Sequence, residues 1–132
     1  MNPSHFICSI STETVEHVEA GFEKSTKHGA DIRFHGAVRD LEDDRLIDGI
    51  EYTHYEGMAL RELEKIGAEM QSEFSNHLAQ IHHQIGFVGV GEPSIIIRIQ
   101  TAHSAEAFEI CREYLKRIKK TVPIWKKPVF CD

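Results

Sequence analysis

Apolar residues recur along the chain with two different periods, and each period predicts a different kind of element. Spacings of three and four residues predict three helices, whereas alternating or continuous apolar runs between turn residues predict strands. The predicted helices run from an N-cap at Ser11 to about Gly29, over 58–74, and from a cap at Ser104 to Pro123. The predicted strands cover 5–10, 30–39, 50–55, 78–86 and 94–102, with a turn-rich strand near Gly89 and a final strand after Pro123.

The order of these elements favours one fold class. Strands follow one another as often as they alternate with helices, which favours an α+β fold with a largely antiparallel sheet over a doubly wound fold. The isoleucine-rich run 94–102 is predicted to be the central strand. The acidic stretch 40–48 is predicted to be a loop, and no linker or repeat divides the chain, so residues 1–132 are expected to form a single domain. The predicted buried stripe of the third helix consists of Phe108, Cys111, Leu115 and Ile118.

Bulk composition is that of an ordinary globular protein. The chain has 132 residues, of which 41% are hydrophobic and 27% charged, and this length is enough to bury a core. No apolar run approaches the ~20 residues that a membrane span needs, and no leader-like segment is visible at the N-terminus. Cys8, Cys111 and Cys131 are widely spaced, which argues against a disulfide scaffold or a structural zinc site. We therefore expect a cytoplasmic protein.

The charge distribution is more informative than the net charge of -6. The stretch 112–127 holds seven of the fifteen basic residues and a single acidic residue, Glu113, so it carries about +6 while the rest of the chain carries about -12. These basic residues are Arg112, Lys116, Arg117, Lys119, Lys120, Lys126 and Lys127. A charge run alone is most simply a solvated helix face, but this asymmetry also fits a local anion site.

Known catalytic motifs are absent from the sequence. The nine histidines include no HExxH pair, and the glycines match neither a P-loop nor a dinucleotide-binding loop, so neither a metal nor a cofactor is expected. The remaining chemistry is that of lysine and arginine. Lys119 shares a helical side with Lys116 and Arg112, and crowded cations lower a lysine's pKa, which suits it to acid/base or nucleophilic work. Arg39, after a strand, is a candidate ligand for phosphate or carboxylate.

Several segments, taken in order and spacing, resemble one known family. The most specific are His-Tyr-Glu-Gly-Met at 54–58 and Pro-Ile-Trp-Lys-Lys at 123–127, and shorter ones lie at 34–39, 83–86, 101–103 and 107–109. Together they resemble the large subunit of molybdopterin synthase, the MoaE family, over most of the chain.

The resemblance implies an α/β-hammerhead-like fold and a homodimer flanked by two small ubiquitin-like, MoaD-like sulfur carriers. It implies transfer of sulfur from the carrier's C-terminal thiocarboxylate to cyclic pyranopterin monophosphate, which forms the dithiolene of molybdopterin. By the same resemblance, Lys119 lies beside the thiocarboxylate, Lys126 is a second catalytic and substrate-binding lysine, and Arg39 and His103 bind substrate. Two anionic ligands need an electropositive pocket, which agrees with the charge distribution.

The chain also departs from the family pattern. Gln84 and Ser104 stand where the family usually has arginine after histidine, Pro128 replaces an acidic residue, and the C-terminal tail is short. A lost arginine contact is worth roughly 1.5–3 kcal/mol. An alternative interpretation is therefore a catalytically impaired relative that binds the sulfur carrier in a regulatory or scaffolding role. A nucleic-acid module ranks below both, because the protein is acidic and no aromatic ladder accompanies the basic residues; a membrane partner is likewise not expected.

Overall fold

The computed structural model describes residues 5–74 and 76–132. Its described part is an α+β fold with three helices in which every strand pair but β1–β5 is antiparallel, so the predicted fold class is confirmed. The elements in chain order are β1 (Phe6–Ser11), α1 (Val15–Ala20), β2 (Ala30–Ala37), β3 (Leu41–Glu42), β4 (Arg45–His54), α2 (Met58–Glu73), β5 (Leu78–Gln84), β6 (Gly86–Gly89), β7 (Pro93–Thr101), α3 (Ser104–Thr121) and β8 (Ile124–Phe130).

The first sheet has the strand order β1-β5-β7-β2 and holds the larger hydrophobic core. The isoleucine-rich strand β7 lies between β5 and β2, and all its residues after Pro93 are buried, which confirms the predicted central strand. Helices α2 and α3 cover one face of this sheet with Leu63, Met70, Ile110 and Tyr114.

The opposite face of the first sheet is polar and lies under α1. Arg98 on β7 is 1% exposed, and its guanidinium donates two hydrogen bonds to the Asp31 carboxylate, at 3.1 and 2.9 Å, and one to Gln80 Oε1 at 2.8 Å. The Phe22 ring lies 5.3 Å from that guanidinium. A buried arginine is tolerated here because its donors meet acceptors on both neighbouring strands.

Helix α1 is shorter than the sequence predicts. Ser11 is not its N-cap but the last residue of β1, paired with Gln84, and the cap is Thr14, whose Oγ1 accepts a hydrogen bond from the His17 backbone N–H at 3.1 Å. The helix ends at Ala20 rather than near Gly29. Gly21 is the C-cap, and Phe22 directly after it lies over the buried Arg98 guanidinium.

The second sheet is built around β4, which pairs with β3, β6 and β8. It has its own small core of Val38, Ile47, Ile50, Tyr52 and Val88. Ile124, at the start of β8, packs against this core and against the larger one, so the segment after α3 joins the two.

The acidic stretch 40–48 is not a loop. Leu41–Glu42 and the start of β4 form a tight hairpin, in which Glu42 pairs with Arg45. Asp43 and Asp44 make the two-residue turn with φ of 52° and 61°. Aspartate tolerates this left-handed backbone better than most residues, which explains how an acidic, glycine-free pair can turn a hairpin.

The predicted buried stripe of α3 is wrong at Phe108, and Leu115 is only partly buried against the core. Phe108 is 66% exposed, while Ala107, Ile110, Cys111, Tyr114 and Ile118 are the buried residues of the helix. The observed stripe is rotated by about one residue because the helix meets the sheet through Ile110 and Tyr114. Among the described residues no helix is long and apolar enough to cross a membrane.

Candidate active site

A cleft of about 500 Å³ opens where the two sheets and the last turns of α3 meet. It is lined by residues from five strands and one helix: Phe34, Gly36, Ala37, Tyr52, His83, Ser94, Ile95, Leu115, Ile118, Lys119, Val122, Ile124 and Lys126. The floor depends on Gly36, where a Cβ would come within 2.8 Å of the Ile95 side chain, so glycine lets β2 approach β7 closely beneath the cleft.

Lys119 and Lys126 reach the cleft from different elements. Lys119 follows the buried Ile118 in the last turn of α3. Lys126 lies on β8 directly opposite Tyr52 of β4, which also lines the cleft. The structure therefore brings together the two lysines that the sequence analysis singled out.

The lining of the cleft contains both lysines and no carboxylate. The other cations of the basic stretch are placed differently. Arg117 donates hydrogen bonds to Glu113 Oε1 and Glu73 Oε2, both at 2.9 Å, and so ties α3 to α2. Because no acidic side chain lines the cleft, Lys119 and Lys126 give it a net positive potential that suits anionic ligands.

His83 also lines the cleft and is 9% exposed. Its ring packs edge-on against Tyr52, with centroids 5.0 Å apart, and its Nδ1 lies 2.8 Å from the backbone oxygen of Gln84. Burial lowers the pKa of His83 to about 4, so the imidazole is neutral at physiological pH. His82 points to the other sheet face, as strand alternation predicts, where it contacts Ser9 Oγ and the Glu13 backbone oxygen.

Arg39 does not line the cleft. It is exposed, two residues beyond Ala37. Hydrogen bonds from the Val38 N–H to the Glu92 oxygen, at 3.0 Å, and from the Gly91 N–H to the Val38 oxygen, at 2.8 Å, fix the backbone just before it. The substrate-binding role of Arg39 stays a prediction.

His103 lies far from the lysines of its own chain. It is the exposed N-cap residue of α3, and its side chain makes no capping hydrogen bond. Lys119 lies sixteen residues further along the helix, which corresponds to about 24 Å at 1.5 Å per residue. The structure does not bring His103 into the cleft, and its role also stays a prediction.

The family model of the MoaE protein matches residues 9–121, which is most of the sequence. The chain is a member of the MoaE family.

Individual relatives agree with this assignment. A molybdopterin synthase catalytic subunit from Emericella nidulans is 36% identical over 121 residues, which cover 92% of this chain and 60% of the relative. The chain thus spans less than two thirds of that protein's length. Among solved structures, molybdopterin synthase from Staphylococcus aureus superposes with a TM-score of 0.82 at 28% identity, covering 97% of this chain and 93% of that one. A Helicobacter pylori complex of subunits 1 and 2 of molybdopterin-converting factor contains a chain with the same fold (TM-score 0.72, 20% identity, coverage 96% and 90%).

The departures from the family pattern fall at three separate places. Gln84 ends β5 and lines a second, smaller cavity of about 200 Å³ beside α1. Ser104 is the exposed first residue of α3, next to His103. Pro128 on β8 pairs with Ile50 on β4. Within the described residues β8 pairs with no other strand, and proline is tolerated on such an edge strand. None of the three lines the cleft.

His83 lines the cleft, although the sequence gives it no individual role. The signal lay in strand alternation, because Ala79, Ile81 and His83 occupy one face of β5 and the first two are core residues. His83 continues this buried apolar face of the strand with a polar side chain, at the point where the core ends and the cleft begins. Among the described residues no three histidine, cysteine or acidic side chains are grouped as a metal site.

Proposed function

We propose that this protein is the catalytic subunit of molybdopterin synthase. In this proposal it transfers sulfur from the C-terminal thiocarboxylate of a ubiquitin-like carrier to cyclic pyranopterin monophosphate, and the product carries the dithiolene of molybdopterin. Family membership and the relatives named as molybdopterin synthase support this reaction.

The observation that carries the proposal is the convergence of Lys119 and Lys126 on one cleft without a carboxylate in its lining. The carrier tail and the substrate phosphate are both anions, and two ammonium groups from separate elements are arranged to hold two anions at once. Helix α3 and strand β8 are each fixed by packing on the core, so the lysine backbones are positioned before any ligand arrives.

The proposed reaction requires the protein mainly to position the two anionic reactants and to supply positive charge beside them. A thiocarboxylate sulfur is already an anionic nucleophile, and it displaces the oxygen substituent of an electrophilic substrate carbon, so that a thioester joins carrier and substrate. Water then cleaves the carrier's carbon–sulfur bond, which leaves the sulfur on the substrate and a carboxylate on the carrier. The dithiolene has two sulfurs, so this sequence of steps runs twice, with one carrier consumed at each of two substrate carbons. Negative charge develops on the carbonyl oxygen during this hydrolysis, and we assign its stabilisation to Lys119, with Lys126 holding the second anion.

A second copy of the chain fits this scheme. His103 is about 24 Å from Lys119 along helix α3, so a substrate-binding role for His103 fits the cleft of another subunit and not its own. We therefore propose a homodimer in which His103 of one subunit completes the cleft of the other, with Arg39 closing the cleft of its own subunit. The Helicobacter pylori complex of two subunits supports the further proposal of a small carrier subunit on each copy. We place the activity in the cytoplasm, where free thiols such as those of Cys8 and Cys111 stay reduced.

Reconstitution tests the proposal. Purified protein is mixed with thiocarboxylated carrier and cyclic pyranopterin monophosphate, and molybdopterin is measured. We expect product that depends on all three components. A folded protein that binds the carrier but forms no product would contradict the enzyme proposal and favour the impaired, carrier-binding relative.

A further inference from the structure

His83 lines the cleft from β5, whereas Lys119 and Lys126 line it from α3 and β8. It ends the buried stripe of β5 opposite Ile95 of β7, and both residues line the cleft. Its ring is held on one side by the edge-on contact with Tyr52. The imidazole is therefore fixed in orientation before a ligand binds.

The hydrogen bond to Gln84 fixes the tautomer of this ring. A backbone carbonyl oxygen only accepts, so Nδ1 must carry the proton and donate across the 2.8 Å contact. In a neutral ring Nε2 is then an unprotonated acceptor. Among the described residues, every fully buried side-chain nitrogen or oxygen has a hydrogen-bond partner. Nε2 of His83 has no hydrogen-bond partner within the described protein, so this atom is not fully buried and has access to solvent. For a residue that is 9% exposed and lines the cleft, that access is through the cleft.

The ring stays neutral across the physiological range because of its surroundings. Burial, with smaller contributions from the nearby His82 and His54, lowers the pKa of His83 to about 4. The hydrogen bond to the Gln84 carbonyl raises this pKa but does not outweigh burial. The other titratable groups of the cleft are Tyr52 on β4, Lys119 on α3 and Lys126 on β8. The two lysines are cations that also disfavour a charged imidazole.

We propose that His83 is a substrate-binding residue whose Nε2 accepts a hydrogen bond from a ring N–H or hydroxyl of the molecule bound in the cleft. Lys119 and Lys126 only donate, so they suit anions, whereas the single hydroxyl proton of Ser94 is already donated to the Gly36 oxygen at 3.3 Å. His83 supplies a fixed acceptor. The inference rests on the proposed function, because cyclic pyranopterin monophosphate combines a phosphate anion with the N–H donors of a reduced pterin ring.

Two substitutions separate Nε2 from the rest of the ring. In His83→Asn the amide nitrogen can replace Nδ1 toward the Gln84 oxygen while the acceptor at Nε2 is lost. In His83→Gln an amide oxygen can reach the position of Nε2. We expect His83→Asn to raise the KM for the pterin substrate about 10-fold with a smaller change in kcat, and His83→Gln to recover part of that loss. The control is His54→Asn, which changes a neighbouring imidazole that does not line the cleft and should leave KM unchanged.

The experiment keeps this inference distinct from the proposed function. If the wild-type protein forms product and His83→Asn keeps the wild-type KM, the inference is overturned while the proposed function stands. A second measurement does not need turnover: ¹⁵N-histidine NMR of the wild-type protein, titrated with cyclic pyranopterin monophosphate alone. We expect an unprotonated Nε2 in the free protein, whose resonance shifts toward the protonated range when substrate binds. A protonated Nε2 in the free protein, or saturating substrate without any shift, would overturn the inference even if no variant folds.

Discussion

Lys126 stands opposite Tyr52 across the β8–β4 ladder, and this register turns Lys126 toward the cleft. The next residue, Lys127, stands opposite Glu51 and points to the other face of the same sheet. Because side chains alternate along a strand, Lys126 faces the cleft and the adjacent Lys127 faces away from it. The pair offers a comparison in which charge, exposure and sequence position are nearly matched.

Lys126→Ala is expected to lower kcat/KM for molybdopterin formation on the order of 100-fold, because a positioned cation is lost from the cleft. Lys127→Ala is expected to change it by no more than about twofold, since Lys127 faces away from the cleft. Steady-state kinetics on both variants, with circular dichroism to check folding, makes the comparison. Equal losses in the two variants would show that overall charge, and not the cleft, is what matters.

A shared site predicts that two inactive variants restore each other. In the proposed dimer, a hybrid of Lys119→Ala and His103→Ala subunits has one site with both residues intact, because Lys119 and His103 come from different copies. With random exchange in an equal mixture, activity should recover to about a quarter of the wild-type value. The measurement is the activity of the two variants refolded together, compared with each refolded alone. Hybrid dimers without recovered activity would rule out a cleft completed by the partner's α3.

The Asp31–Arg98 pair is expected to make stability depend on pH in the acid range. The hydrogen bonds from Arg98, opposed by partial burial, hold the pKa of Asp31 below its ordinary value of 3.8. The pair therefore stabilises the fold fully above pH 3.8, and the stabilisation is lost as pH falls through the lower pKa of the folded state. Asp31→Asn should lower the free energy of unfolding at pH 7 by about 2 kcal/mol, below the range for a fully buried pair because the Asp31 side chain is 38% exposed.

Urea denaturation of wild-type protein and Asp31→Asn across the acid range measures this effect. The difference between the two should shrink as pH falls below 3.8. Asp40→Asn is a suitable control, since Asp40 is exposed and forms no ion pair within the described residues. A difference that stays constant with pH would mean that Asp31 acts through packing and not through its charge.

The elements with strong periodicity could be predicted from the sequence, and those set by tertiary contacts could not. The run of isoleucines in β7 and the stripe Leu63, Ile66 and Met70 of α2 leave little choice of structure. Helix α1 instead ends at a Gly21 C-cap, and Phe22 just beyond it packs on the buried Arg98 of β7, a contact that no local pattern indicates. Likewise, Phe108 and Ala107 both fit the period of α3, and only the direction from which the sheet approaches decides that the larger residue is exposed.

The site shows the same division. Basic residues near the C-terminus were visible as a charge run, but their separation into an inward Lys126 and an outward Lys127 needs the β8–β4 register. The spacing of the histidines matches no metal motif and gives His83 no role, and the cleft beside His83 exists only because two sheets meet there. The distance from His103 to Lys119 follows from the length of α3. Because of this distance, we propose that His103 acts in the cleft of a second copy and not beside Lys119 of its own chain.

The most direct test of the central claim is single-turnover molybdopterin formation by wild-type protein and Lys119→Ala with the same thiocarboxylated carrier and substrate. Lys120→Ala is the control, since Lys120 is the exposed neighbour of Lys119 and does not line the cleft. We predict product from wild-type protein and Lys120→Ala, and none from a folded Lys119→Ala that still binds the carrier. Product formation by Lys119→Ala at the wild-type rate would contradict the assignment of the reaction to this cleft.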